Sequence, residues 1–203
     1  MKFFPQATPS SLEPASGFFR EALGELVTTS WSDLTSSLLQ EAEQQFGPRD
    51  PRWFFAGIQF WDEGHPGTYY PGSRPFHVGI SLTREAASNP RMAHYQLAHE
   101  VVHLLGPSPT FAPATVLEEG MAYSFQERVN LHRHLGMRLS IPSYAQARDV
   151  LNAMLALDPD AVRTIRAVYP DVRDVRSAEL MRLVPAVSLE IADLLCRPFF
   201  RGE

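Results

Sequence analysis

Residues 76–82, FHVGISL, place Phe76, Val78, Ile80 and Leu82 alternately with His77, Gly79 and Ser81. That period of two predicts a strand with one buried face. Upstream, RWFFAGIQFW (52–61) puts Phe54, Ala56, Ile58 and Phe60 on one parity, and its aromatics favour a second strand. Between them, DEGHPGTYYPGSRP (62–75) is so rich in Gly and Pro that it reads as a long loop.

Elsewhere the apolar positions recur with helical spacing. PASGFFREALGELVTT, with Phe18, Phe19, Leu23 and Leu26, predicts a first helix opened by Pro14. WSDLTSSLLQEAEQQF predicts a second, starting after Ser30 and ending at Gly47-Pro48. Asn89-Pro90 and Gly106-Pro107 bracket a third near 90–105. A fourth runs from about Val116 to Leu135 and a fifth begins at Pro142, while Pro170 and Pro185 break 158–197 into two or three short helices. The order predicts an α+β fold, a small and mostly antiparallel sheet packed on helices. Residues 1–140 form the core, and 141–203 form a helical C-terminal subdomain packed on it.

Composition narrows the classes of function. With 203 residues, 44% of them hydrophobic, the chain suits one ordinary domain, or a domain with a small appendage. Its net charge of −5 and lack of a basic block argue against a nucleic-acid partner. No apolar run approaches the ~20 residues that cross a bilayer, which argues against a membrane. The opening MKFFPQATPSSLEP meets Pro5, Pro9 and Glu13 too early for a secretory signal, so the expected location is cytoplasmic. Cys196 is the only cysteine, which rules out an intramolecular disulfide and a cysteine-rich zinc site; it reads as a buried, inert thiol.

The candidate chemistry lies in HYQLAHEVVHLLGPSP (94–109). Burying polar groups without partners is costly, yet this apolar helix carries His99, Glu100 and His103. Spacing divides it into a core face of Ala93, Leu97, Val101, Leu104 and Leu105 and a second face of Tyr95, Gln96, His99, Glu100 and His103. His99 and His103, four apart, share one face and can both reach one Zn²⁺. Glu100 is rotated off the ligand line, toward a water on the metal. This is the His-Glu-x-x-His arrangement of two ligands and a general base. A third protein ligand is needed if one position is to stay open for water. The metzincin extension fails, because Gly106 matches but Pro109 stands where the third His belongs.

Downstream, TVLEEGMAYSFQERV (115–129) supplies a better match, and over roughly 75–130 the chain resembles the gluzincin, thermolysin-like peptidases. The resemblance implies a zincin-like fold, one Zn²⁺ per chain, and Glu119 of LEEGMA as third ligand, 15 residues beyond His103. Glu118 is the alternative ligand, since helical phase does not separate the two. Thermolysin-type enzymes place an Asp four residues after the ligand Glu to orient an imidazole, whereas Tyr123 stands here. Tyr123 is therefore a candidate catalytic residue, with three roles open: orienting a ligand, facing the cleft, or packing.

The implied activity is peptide hydrolysis, with Glu100 taking the proton of a metal-activated water and a neutral donor stabilising the oxyanion. Tyr69, Tyr70, His77, Tyr95, Tyr123, His132, His134 and Tyr144 are candidates for that donor, and none is singled out. In zincins the strand before the active-site helix rims the cleft and pairs with substrate, so FHVGISL is expected there, with Gly79 permitting close approach. The expected partner is a peptide or protein substrate. The alternative is an inactive or regulatory peptidase-like zinc-binding domain that acts through protein binding.

Overall fold

Residues 17–18, 28–62, 64–72, 75–109, 113–138 and 141–202 are described by a computed structural model. A two-residue antiparallel ladder pairs β1 (Gly17–Phe18) with β2 (Thr28–Thr29). This overturns the helix expected over 14–29 at two of its segments; the intervening 19–27 lie outside the described residues. Helix α1 (Trp31–Phe46) then starts where expected, its first turn closed by Ser30 Oγ accepting from the Asp33 amide at 3.1 Å. It buries Leu34, Leu38, Ala42 and Phe46 along one stripe and ends at Gly47, whose φ of 93° a side chain would resist.

The sheet has three strands, β3 (Phe54–Trp61), β4 (Gly67–Tyr69) and β5 (His77–Thr83), in the order β3-β5-β4. β3 and β5 are parallel, and β4 is antiparallel to β5, so the sheet is mixed rather than mostly antiparallel. Parallel neighbours need a crossover, and the Gly/Pro-rich segment supplies it while contributing β4 on the way. A three-residue strand among so many turn residues leaves no periodic trace.

Two further expectations about these strands change. The register of β3 against β5 shifts between Phe55 and Ile58, where Gly57 has φ 109°. Phe55, Ile58 and Phe60 consequently pack on the core and Phe54 is 61% exposed, because a bulge exchanges the two faces. β5 is the middle strand, flanked on both edges, with Val78 through Leu82 buried. It therefore cannot receive a substrate strand. Gly79 serves a different close approach, since a Cβ there would overlap the ring of Tyr69.

Short α2 (Arg84–Ser88) leads to α3 (Pro90–His103), whose cap, Asn89, accepts from the Met92 amide at 3.1 Å. Every residue of α3 from Ala93 to Val102 is buried, so the helix is central rather than divided between core and solvent. Helix α4 (Val116–His132), capped by Thr115, packs along it, followed by α5 (Pro142–Leu157), α6 (Ala161–Val168), a one-turn 3-10 segment (Val172–Asp174), α7 (Ser177–Leu183) and α8 (Leu189–Cys196). The breaks at Pro170 and Pro185 fall between these short helices, as the sequence indicates. One apolar cluster runs from Leu34 to Leu195 and is continuous across residue 140.

Three features hold the C-terminal helices against α3 and α4. Gly120 lets α5 cross closely, for a Cβ there would lie 2.7 Å from the Ala147 carbonyl oxygen. Gly106 is in contact with the Pro170 carbonyl, so its role after α3 is steric rather than a left-handed cap. Arg166, 5% exposed, donates to the carbonyls of Phe46, Gly47, Pro48 and Leu105 at 2.7–3.1 Å. It thereby satisfies the ends of α1 and α3 that would otherwise be buried without partners. Among the described residues, no helix is long and apolar enough to cross a membrane.

Candidate metal centre

α3 and α4 face each other across the polar side of α3, with the C-terminal half of α3 against the first turns of α4. His99 and His103 lie one turn apart, their ring centroids 5.2 Å from each other. Glu119, in the first turn of α4, reaches both. Its Oε2 is 3.1 Å from His99 Nε2 and its Oε1 is 3.8 Å from His103 Nε2. One potential ligand atom from each of these three residues lies within 4.8 Å of the others, and the group can hold a metal ion. A tetrahedral ion with bonds near 2.0–2.1 Å spaces its ligands by about 3.4 Å, which lies between the two contacts of Glu119. The placing of Glu119 against the two imidazoles therefore suits a zinc-like ion.

Glu118 is used differently. Its Oε1 accepts from Nδ1 of His103 at 2.7 Å, on the side of the ring away from Glu119, and its Oε2 lies 3.4 Å from Nε of Arg173. A carboxylate on the far nitrogen fixes the tautomer and direction of a ligating imidazole. Geometry thus separates two acids that helical phase could not: Glu119 faces the metal position and Glu118 supports a ligand. Arg173 is in turn held by Asp171 at 3.2 Å and by the Ser108 carbonyl at 3.5 Å. The residues around 170 lie against Gly106, and this close approach delivers Arg173 to the site.

Glu100 is 4% exposed and within electrostatic reach of His99, His103, Glu118 and Glu119, yet does not belong to the converging triad. Burial pushes its carboxyl up and the other two acids add to this, against the opposing pull of the imidazoles. For His103, burial works against the charged ring, but Glu118, Glu119 and Glu100 outweigh it and raise the pKa to about 10. Burial also opposes the charged form of Glu119, which the hydrogen bond from His99 and the charge of His103 nonetheless hold below its usual range. The three carboxylates thus hold a positive charge on His103 beside the Arg173 guanidinium, a place that a bound cation would take over.

Tyr123 is buried beside Tyr144, with ring centroids 5.8 Å apart, and the Arg148 guanidinium lies over it at 5.6 Å. The carboxylate on the ligand imidazole comes instead from Glu118. Most of the other proposed donors sit elsewhere. Tyr69 covers Gly79, Tyr70 packs on Trp53, His77 stacks on Phe54, Tyr95 donates to Glu127 at 2.9 Å, and His132 and His134 are exposed at the far end of α4. Tyr144 sits edge-on to His99 at 5.5 Å. Arg173 and the supporting role of Glu118 escaped sequence reasoning, because no period or motif links residue 173 to an acid 55 positions earlier. Cys196 is partly buried, and burial pushes its thiol up to about 11.

No known protein family, curated protein or solved structure matches the chain.

Proposed function

We propose that this chain is a zinc-dependent peptidase of zincin-like, gluzincin type. His99, His103 and Glu119 would hold the ion, and Glu100 would act as general base. The observation that carries this reading is the convergence of His99, His103 and Glu119 with a further acid, Glu100, buried beside them but left out of the set. A structural zinc site closes with four protein ligands, whereas a catalytic site keeps a position open. Among the described residues no fourth His, Cys, Asp or Glu joins the group, and Glu118 is committed to His103. When bound, a divalent ion supplies Lewis acidity toward a peptide carbonyl and lowers the pKa of water to near neutrality.

The residues of the chain do the rest. Glu100 takes the water's proton and returns it to the leaving amine, a task for which a carboxyl raised by burial is suited. Glu118 and Arg173 hold His103 in one orientation. Because β5 is enclosed, the free edge available to an extended peptide on that side is β4.

Metal analysis and a single substitution test the reading. Purified protein should contain about one zinc per chain, removable by chelator. Glu100→Gln should retain the zinc and lose hydrolysis of a diverse peptide library by about a thousandfold or more. Loss of zinc with that change would make Glu100 a ligand and end the proposal.

A further inference from the structure

We propose that β3 is a dimer interface, its outer edge pairing antiparallel with β3 of a second copy of this chain about a two-fold axis at Ile58. The inference is independent of the peptidase reading and concerns the edge of the sheet opposite β4.

That edge is open. β3 bonds to β5 on one side, and among the described residues no strand pairs with the other. An edge strand offers unpaired amides and carbonyls to another chain, and proteins blunt such edges with charge, proline, shortness or a cover. From Phe54 to Trp61, β3 has eight residues with neither a charge nor a proline, longer than the strand length of about five or six that is commonest. Apolar surface adds to the open edge, for Phe54 is 61% and Trp61 51% exposed.

The symmetry of the strand selects a second copy as its occupant. Between Phe55 and Ile58, two residues of β3, Ala56 and Gly57, stand opposite Gly79 alone. With Gly57 as the extra residue, Phe54, Ala56, Gln59 and Trp61 face outward while Phe55, Ile58 and Phe60 pack on the core. The pattern then reads alike in both directions from Ile58. Self-pairing sets Phe54 against Trp61 of the second copy, Phe55 against Phe60, Ala56 against Gln59, and Ile58 against Ile58. The two members of each pair lie on the same face. In an unbulged strand Phe54 and Trp61, seven apart, would point to opposite faces and this register could not form. A bulge commonly hinders pairing at an edge; here it is what makes the strand self-complementary. Aromatic pairs directly across two strands are stabilising.

The charges at the two ends agree with this pairing. Arg52 lies beyond one end of β3 and Asp62 beyond the other, both exposed. Antiparallel pairing brings each Arg52 toward Asp62 of the second copy, with no charge in between. A contact that uses one patch twice closes as a two-fold dimer. The two three-stranded sheets then form one of six strands, with β4 outermost at both ends.

The test is sedimentation equilibrium of the full chain, comparing the parent with Phe54→Glu, Trp61→Lys and the two combined. Both side chains are exposed in the single chain, so far-UV circular dichroism and thermal midpoint confirm that each variant is folded. The parent should dimerise reversibly, reaching twice the chain mass as concentration rises. Either single substitution sets a charge against a ring at two places in the dimer, and its dissociation constant should rise about tenfold or more. In the combined variant each introduced acid faces an introduced amine, and the dimer should be about tenfold tighter than with either single substitution. A parent that stays monomeric up to about 100 μM overturns the proposal and leaves the edge to a different occupant. Single variants that dimerise as tightly as the parent overturn it by placing the contact elsewhere. Weakening by both single substitutions without recovery in the combined variant overturns the antiparallel register.

Discussion

Two polar clusters lie along α3, each built on a buried histidine of that helix, and they differ in how their charge is closed. At the N-terminal end of α3, His94 Nε2 accepts from Arg133 at 2.8 Å, and Arg133 pairs with Glu41 of α1, which Arg128 also approaches at 3.7 Å. One acid faces two guanidiniums and a neutral imidazole, so the positive charge of this network is supplied by arginines. At the C-terminal end, two imidazoles face Glu100, Glu118 and Glu119 beside Arg173, and these acids hold a proton on His103. The same helix pair thus holds one cluster whose positive charge is fixed on arginines and one whose acids also hold a proton on an imidazole, which a metal ion would displace. Buried charges without partners are strongly destabilising, so the acids of the second cluster need a positive partner, a role that a proton on His103 fills and a bound metal ion would take over.

The largest effect that separates the clusters is loss of a ligand. Glu119→Ala should lower zinc affinity by on the order of a thousandfold, measured by competition with a chromophoric chelator. Glu41, an acid of the other cluster, has no contact with the triad, so Glu41→Gln should leave zinc affinity unchanged. If the two substitutions affect zinc equally, the contrast is lost.

Acid should act through the closed cluster. Burial, helped by the Arg133 charge, lowers the His94 pKa to about 4. The unfolded chain binds that proton near pH 6.5, so this contribution to stability is present above 6.5 and is lost as pH falls toward 4. The loss is about 3 kcal/mol. Urea unfolding at several pH values should show a steeper acid decline for the parent than for His94→Gln, in which the titrating ring is gone. Parallel declines would mean that His94 is not buried in its neutral form.

The smallest change sharpens the division of labour between neighbouring acids. Glu118→Gln should weaken zinc binding by about 10–100-fold, because the imidazole loses its orienting carboxylate but all three ligands remain. A loss as large as that of Glu119→Ala would make Glu118 a ligand.

Much of the centre was legible before folding was considered. His99, Glu100 and His103 stand out because helix periodicity puts both imidazoles on one face and a capped, apolar helix has no other use for them. Glu119 was legible only with Glu118 as its rival, since adjacent residues on a helix start differ by a rotation that the position of α3 must resolve. Strand order was not legible at all. The alternation in FHVGISL reports one apolar face, but the covering of the other by Tyr69 and of both edges by β3 and β4 depends on partners distant in sequence. The exchange of faces at Gly57 broke the parity on which Phe54 was assigned inward.

The sequence by itself determined the helices from Trp31 onward and which polar side chains of α3 share one face, because these depend on residues within a few turns of one another. Tertiary structure alone decided which acid faces both imidazoles, that Arg173 pairs with the other, and that Tyr144 stands beside His99. Those choices depend on how closely chain segments approach, and that is set by single missing methyl groups at Gly106 and Gly120, whose consequences lie tens of residues away.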